Sequence, residues 1–568
     1  MHRLLLLLLA FATLGAAPAT AAFVHEADRA VIARDGTRLS AHVFRTDHPA
    51  PKPVILTFTP YSVQELLPRA RFFAENGYVF VAVSARGRGD SAGVFAPFSA
   101  HDGPDAADAI AWAAAQPWSN GKVGMWGGSY LGYSQWAALG QRPPALKTIV
   151  PAAAVFPGVD YPAWRQVNLT YQFQWLAALQ GRSDWFDTAF DDEAWAAAVK
   201  AQRTEGGTFA DLADRSGTRA DLARRWLATT PTDWQQSVGD TGALNGLDIP
   251  VLSITGQFDA DQRGAIAYVR RWLTANPGAA AATHTVIGPW DHGGTRTPAA
   301  VMAGETVDPQ SVIDMNALHL AWYDWTLRDG PKPAFLTDGL VYFTLGSGTW
   351  KSAPSLDAFD AGVTLHPAAG STGAGRLVPK AGPGVFRYSL DTRKLATANQ
   401  IGFEATPGDT RDVAVLGPDG LVFETDALAE DMVLAGFPRL SAWLSTSRSG
   451  GDVFVSLLLV APDGKSTRIG FDVARLERPA GTAPLPRDVA FDALGFVARR
   501  VPARSRIRLV LHSNPPAFLE ANPGNGGDVA QDRLANGGPQ TISLHHAAGR
   551  PTTLFLPLRP EGSAPRSR

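Results

Sequence analysis

From Ala30 to about Gly158, apolar runs of strand length alternate with stretches whose apolar residues recur every three or four positions. Val54-Ile55-Leu56-Thr57-Phe58 is a β-branched run that ends at Pro60, and Tyr78 to Val83 is a second. Between them Leu66 to Glu75 reads as a helix stopped by Asn76-Gly77. Asp102 to Gln116 carries Ala106, Ile110, Trp112 and Ala113 on helical spacing, and Pro117 ends it. Lys122 to Trp126 is a further strand, and a helix begins near Tyr130. Strands without polar alternation, separated by helices, predict a parallel sheet covered on both faces.

The pattern then changes twice. Between Asp160 and Asn245 strand runs vanish, and helical stretches rich in Trp, Ala and Gln replace them, such as Glu193 to Gln202 and Arg219 to Leu227. This predicts a helical cap over residues 160–245. The sheet resumes with Val251 to Thr255 and Thr285 to Ile287, and a last helix covers about Val312 to Leu327. Beyond Pro333 the period becomes two: Leu340 to Thr344, Asp452 to Val460 and Arg506 to His512 read as short strands separated by turns such as Pro462-Asp463-Gly464. The predicted units are residues 22–159 with 246–332, the cap 160–245, and an all-β sandwich or jelly roll over 333–568. The Gly/Ser/Ala stretch from Ala368 to Gly375 and the final Pro/Ser/Arg tail read as disordered.

Residues 1–21 read as an export signal instead of fold. Arg3 precedes an apolar run from Leu4 to Leu14, about eleven residues against the ~20 a spanning helix needs. Ala19-Thr20-Ala21 supplies a small-x-small cleavage pattern. Export predicts a periplasmic or secreted protein. The chain has no cysteine, which excludes thiolate metal sites and a cysteine nucleophile. A formal charge of −2 without like-charge blocks gives no reason to expect nucleic acid or a membrane surface as partner.

The sharpest local signal is Gly127-Gly128-Ser129-Tyr130-Leu131-Gly132, placed after a strand and before a helix. A serine nucleophile needs its hydroxyl held out on a tight strand-to-helix turn, where the helix start aims free N–H groups at a developing oxyanion. The usual elbow is G-x-S-x-G; here the distal glycine falls one residue later. Gly288-Pro289-Trp290-Asp291-His292-Gly293-Gly294 follows a late strand, where the chain order Ser, Asp, His of an α/β-hydrolase requires its base. The acid should end the preceding strand. Asp259 and Asp261 compete, and Asp259, nearer the strand end, is assigned the role. Asp291 adjoins the histidine and is poorly placed to pair with it.

These segments closely resemble the family of cocaine esterases, α-amino acid ester hydrolases, glutaryl acylases and X-prolyl dipeptidyl peptidases. Gly127 to Gly132 fits that family's G-x-S-Y-x-G, Gly256-Gln257-Phe258-Asp259 its acid loop, and Gly288 to His292 its G-P-W-x-H. Arg86-Gly87-Arg88-Gly89, Gln116 to Gly124, Leu421-Val422-Phe423 and Gly436-Phe437-Pro438 extend the likeness over nearly the whole mature chain, least in the cap. The resemblance implies an α/β-hydrolase, doubly wound with a helical cap, followed by a jelly roll. It implies that Tyr61, in Thr59-Pro60-Tyr61-Ser62, gives its phenol to an oxyanion hole beside the Tyr130 amide.

The expected function is ester or amide cleavage by Ser129, His292 and Asp259 through an acyl-enzyme, with no cofactor and no metal. The substrate would be a small ester, amide or short peptide, and self-association stays open. Asp160, Trp164, Tyr171 and Phe258 are the candidates for shaping the pocket. X-prolyl peptidases and amino acid ester hydrolases bind a substrate ammonium, for which Asp160 is the available carboxylate; lacking a clear acidic cluster, the chain is expected to favour an uncharged ester or acyl amide. Asp191-Asp192-Glu193 reads instead as a helix start. The rival from another class is an inert polymer-binding protein with an unused hydrolase half. Gly87 to Gly93 fails the dinucleotide pattern, His545-His546 lack ligand companions, and Asn168-Leu169-Thr170 is a formal glycosylation sequon.

Overall fold

The computed structural model describes residues 22–184, 191–236, 241–302, 305–372, 374–395, 419–478 and 481–562. The expected signal over 1–21 and the tail beyond residue 562 lie outside the described residues.

The first half is built on a ten-stranded sheet of order β1-β2-β4-β3-β5-β6-β9-β10-β13-β14. Its members are β1 (Phe23–Ile32), β2 (Arg38–Thr46), β3 (Lys52–Thr59), β4 (Val79–Ser84), β5 (Ser119–Gly128), β6 (Leu146–Ala152), β9 (Val251–Gly256), β10 (Thr283–Gly288), β13 (Leu340–Thr344) and β14 (Thr349–Ala353), while β11 (Val301–Met302) and β12 (Glu305–Thr306) pair with each other outside it. From β4 through β13 every pairing is parallel. All residues of β4, β9 and β10 are buried, as parallel strands covered on both faces must be. The cover comes from α1 (Leu67–Glu75), α2 (Asp102–Ala114), α3 (Tyr130–Gly140), α10 (Gln262–Ala275) and α11 (Met315–Arg328).

Strand β13 corrects the expected domain boundary at residue 333. Leu340 to Thr344 pairs in parallel with β10, Thr285 facing Leu340, so the sheet continues to Ala353. The run Leu340-Val341-Tyr342-Phe343-Thr344 is buried throughout and has no polar alternation, which marks a central parallel strand and not one side of a sandwich. The stretch from Ala368 to Gly375 also departs from expectation: its described residues lie in two strands, Val363–Thr372 and Ala374–Val378, that pair with each other.

Between β6 and β9 come a short hairpin of β7 (Ala163–Trp164) and β8 (Val167–Asn168) and the helices α4 (Tyr171–Ala178), α5 (Asp192–Thr204), α6 (Asp211–Arg215), α7 (Ala220–Ala228), α8 (Pro231–Gln236) and α9 (Thr241–Leu244). Asp191 caps α5 by accepting from the Ala194 N–H at 2.9 Å, the helix-start role read from its acids. Phe98 centres the aromatic layer beneath these helices. Its ring centroid lies 4.8–6.3 Å from those of Tyr130, Tyr133, Tyr161, Trp175, Trp226 and Trp234.

After Pro354 the described chain is mostly strands and turns, with a core of its own around Leu444, Val455, Leu509 and Leu544. Its 515–520 segment is bonded to the β8–α4 segment. The Thr170 N–H donates to the Phe518 carbonyl and the Glu520 N–H to the Asn168 carbonyl, both at 2.9 Å. The Glu520 carboxylate accepts from the Asn168 backbone N–H at 2.9 Å and from Asn168 Nδ2 at 3.0 Å. Largely buried Arg475 ties Glu520 (2.7 Å) to Asp452 (2.9 Å), so this carboxylate is charge-paired as well as hydrogen-bonded.

Candidate active site

Ser129, Asp259, His292 and Tyr61 leave the sheet at one edge, each a few residues past the carboxyl end of β5, β9, β10 or β3, where open α/β sheets bind their ligands. Ser129 stands at φ 60° and ψ −126°, a conformation costly for a residue with a side chain. Its N–H is anchored to the Ala152 carbonyl at 2.9 Å, and its carbonyl accepts from the N–H groups of Gly132 (2.9 Å) and Tyr133 (3.0 Å), starting α3. The amide of Tyr130 opens that helix and so has no intrahelical acceptor. The displaced glycine has a steric reason. A Cβ on Gly132 would stand 2.9 Å from Ala154 Cα, while Leu131, where the usual motif has glycine, fits because Gly127 at φ 142° leaves room for its Cβ.

His292 Nδ1 lies 3.0 Å from Asp259 Oδ1 and 3.4 Å from Asp261 Oδ2. Asp259 is the better-held partner. Its side chain is fully buried, its Oδ2 accepts from the Thr255 hydroxyl at 3.0 Å, and its Oδ1 accepts from the Asp261 N–H at 3.1 Å. Asp291 caps the turn after the histidine's strand by accepting from the Gly294 N–H at 2.8 Å. Asp259, Asp261 and His292 are the one group among the described residues whose ligand-type atoms lie within 4.8 Å of one another. The hydrogen bonds already made by both oxygens of Asp259 suit it to orienting an imidazole more than to binding an ion.

Tyr61 hydrogen-bonds through its hydroxyl with the Ser129 side chain, and the Trp175 indole N–H donates to the same hydroxyl at 3.3 Å. Burial pushes the phenol up to about 12, so it stays a protonated donor at neutral pH.

The pocket candidates fare differently. Asp160 is wholly buried, and its two oxygens accept the N–H groups of Phe156 (2.9 Å) and Gly264 (2.6 Å). Burial pushes it up to about 8. It fastens the loop after β6 to α10 and offers no exposed oxygen to an ammonium, which corrects its expected role. Trp164 and Phe258 line a cavity of about 80 Å³ together with Asp259, Arg263 and Phe471. Ser129 and His292 do not line it, and Trp164 lies under the Arg263 guanidinium at 4.0 Å, tilted against Phe471 and edge-on to Phe518. Both residues therefore pack the seam between the halves, behind the acid. Tyr171 meets Tyr161 edge-on at 6.1 Å.

Sequence reasoning passed over two clusters. Buried Asp102, at the start of α2, accepts from the hydroxyls of Tyr130 (2.8 Å) and Tyr133 (3.2 Å) and from the Ser99 N–H (3.1 Å), fixing the side chain of the residue that follows Ser129. Burial pushes its carboxyl up to about 7. Arg69 and Arg296 meet beside Gly128, and nothing in either local sequence signals it.

A strained serine at a strand-to-helix turn, set in a sheet of this order, defines a serine hydrolase. Residues 35–294 match the X-Pro dipeptidyl-peptidase (S15 family), and residues 387–554 match the X-Pro dipeptidyl-peptidase C-terminal non-catalytic domain. The chain belongs to this family. A cocaine esterase of Rhodococcus sp. (strain MB1 Bresler) is 24% identical over 573 residues, covering 92% of this chain and 97% of that one. Among solved structures, an α-amino acid ester hydrolase superposes with a TM-score of 0.78 at 21% identity, covering 96% of this chain and 98% of its own. An aminopeptidase from a marine sediment archaeon, Thaumarchaeota, does so with 0.78 at 21%, covering 94% and 96%. These two likenesses establish the fold: an α/β-hydrolase-like half followed by a non-catalytic half of β sheets.

Proposed function

We propose that this chain is an exported serine hydrolase that cleaves a carboxylic ester or acyl amide through an acyl-enzyme. Ser129 Oγ attacks the carbonyl carbon while His292 takes the hydroxyl proton. The Tyr61 phenol and the Tyr130 amide donate to the oxyanion, and Asp259 holds the imidazole tautomer and balances its positive charge. His292 then gives the proton to the departing alcohol or amine. Water, deprotonated by the same imidazole, attacks the acyl-enzyme and releases the acid.

The observation that carries this reading is the approach of His292 Nδ1 to Asp259 from a separate loop, together with a serine in a strained turn that bonds Tyr61. Engagement of both Asp160 oxygens by backbone N–H groups supports an acyl group that carries no ammonium over the ammonium-bearing substrates of an aminopeptidase. Export rests on the features of residues 1–21, and we assign the β half to a jelly roll. Among the described residues no helix is long and apolar enough to cross a membrane. The test is labelling by a fluorophosphonate, with the adduct mapped to Ser129 and lost in Ser129→Ala, alongside a panel of aryl esters, amino acid esters and X-Pro-anilides. Failure to label the folded protein, with no turnover of any panel member, overturns the proposal.

A further inference from the structure

Arg296 lies four residues beyond His292, in the turn held by the Thr295 hydroxyl on the His292 carbonyl at 2.8 Å. Its guanidinium packs on the nucleophile turn: Nη1 lies 2.4 Å from where a Cβ on Gly128 would stand, so a side chain before Ser129 would displace the arginine. Arg69 reaches the same place from α1. Its Nη2 donates to the Arg296 carbonyl at 3.2 Å, and its guanidinium lies 5.1 Å from the Trp126 ring centroid.

Two cations thus converge beside the nucleophile without a matching anion. Arg69 Nη1 and Arg296 Nη1 are both buried and have no hydrogen-bond partner among the described residues, and neither side chain makes an ion pair there. Burial, and then the charge of Arg296, pull the Arg69 guanidinium down to about 10, and Asp314 opposes this only weakly. The charge of Arg296 is also felt at the Tyr61 phenol. A buried guanidinium nitrogen without an acceptor is costly, and the cost is relieved when an anion supplies the missing oxygens. Arg296 is only half-buried, so part of its side chain remains in reach of solvent.

We infer that Arg69 and Arg296 form an anion subsite next to Ser129 that takes a carboxylate carried by the substrate, so that the preferred esters are anionic. This inference rests on the proposed hydrolase activity and extends it to a substrate class. The carboxylate can belong to the acyl half or to the leaving group, and the chemistry of recognition is the same.

The test compares matched ester pairs on the wild-type protein. One arm uses alkyl monoesters of straight-chain dicarboxylic acids with three to five methylenes against the same esters with the free carboxylate methyl-capped. The other uses butyrate esters of 4-hydroxybenzoate against those of its methyl ester. In one arm the anionic member should have the higher kcat/KM by about tenfold to a hundredfold, the range of one charge-assisted hydrogen bond. That ratio should fall to about one or below in Arg296→Gln and Arg69→Gln, and Arg296→Lys should recover part of it. Because each ratio is taken within one protein, partial loss of folded enzyme cancels. As a readout apart from turnover, the carboxylate-bearing product of the arm that shows the preference (the dicarboxylate or 4-hydroxybenzoate) should raise the melting temperature of Ser129→Ala, and its methyl-capped counterpart should not. Turnover of neutral esters with ratios at or below one in both arms overturns the subsite and leaves the hydrolase reading standing. No turnover of any ester, with no fluorophosphonate label, removes the hydrolase reading itself. Ratios unchanged in both Gln variants assign any anion preference to other residues and overturn the role given to this pair.

Discussion

The two carboxylates at His292 make a quantitative prediction. An amide replacing the acid of a serine triad costs ~10⁴ in kcat where it forces the wrong imidazole tautomer. Here the surroundings of Asp259 allow a different outcome. In Asp259→Asn the oxygen must stay at the Oδ1 position, because that atom accepts the Asp261 N–H and faces His292 Nδ1. The new NH₂ then faces the Thr255 hydroxyl, which rotates from donor to acceptor. The tautomer survives and only charge is lost. With an effective dielectric near 20, a carboxylate attracts the imidazolium by about 5.5 kcal/mol at 3.0 Å and about 4.9 kcal/mol at 3.4 Å, so Asp261 retains nearly half of the total. Asp259→Asn should therefore lower kcat by about 10², Asp261→Asn by slightly less, and the double variant by close to 10⁴. Steady-state kinetics on one good ester, with thermal melts to establish folding, decide it. A loss of ~10⁴ in Asp259→Asn alone, with Asp261→Asn silent, would refute both the retained tautomer and the shared charge.

Ser129→Gly should abolish turnover yet raise stability by up to ~1 kcal/mol, because glycine relieves φ 60°; a chemical-denaturation midpoint at or below that of Ser129→Ala counts against strain in the turn. Tyr61→Phe should lower kcat ~10²–10³-fold with little change in KM, and cost about 1 kcal/mol of stability because the Trp175 N–H loses its acceptor. Unchanged kinetics would remove the phenol from the oxyanion hole. Asp102 holds its proton in the folded state up to about pH 7, whereas the unfolded chain loses it near pH 3.8. The contribution of this group is therefore greatest below pH 4 and declines as pH rises to 7. The stability of the wild type relative to Asp102→Asn should fall across that window by up to about 4 kcal/mol, read from urea midpoints; a pH-independent difference would contradict it.

The candidate serine, acid and histidine could be picked out of the chain because each follows a strand end, and the parallel strands announce themselves as unbroken apolar runs. What the sequence hides are decisions made between distant segments. Leu340 to Thr344 is an unbroken apolar run like the other parallel strands, but that it lies beside β10 is set by packing that periodicity does not encode. Asp160 follows Tyr130 by thirty residues, but which backbone amides claim its oxygens depends on α10, about a hundred residues later. Arg69 and Arg296 meet across 227 positions, and Tyr130 meets Asp102 only because α2 packs on α3.

The bond between Asn168 and Glu520 bears on the choice of expression host. Asn168 Nδ2 is the atom an oligosaccharyltransferase would modify in Asn168-Leu169-Thr170, and in the folded protein it donates to Glu520 at 3.0 Å. In a eukaryotic secretory route the sequon enters the lumen before Glu520 has been synthesised. A sugar placed there meets no competing partner at the time, and it later occupies the seam that the 515–520 segment must close. Yeast or insect secretion should thus yield a glycosylated, poorly assembled fraction, and Thr170→Ala is not a neutral remedy, because the Thr170 hydroxyl donates to the Ala517 carbonyl at 3.0 Å. A bacterial host avoids the conflict altogether.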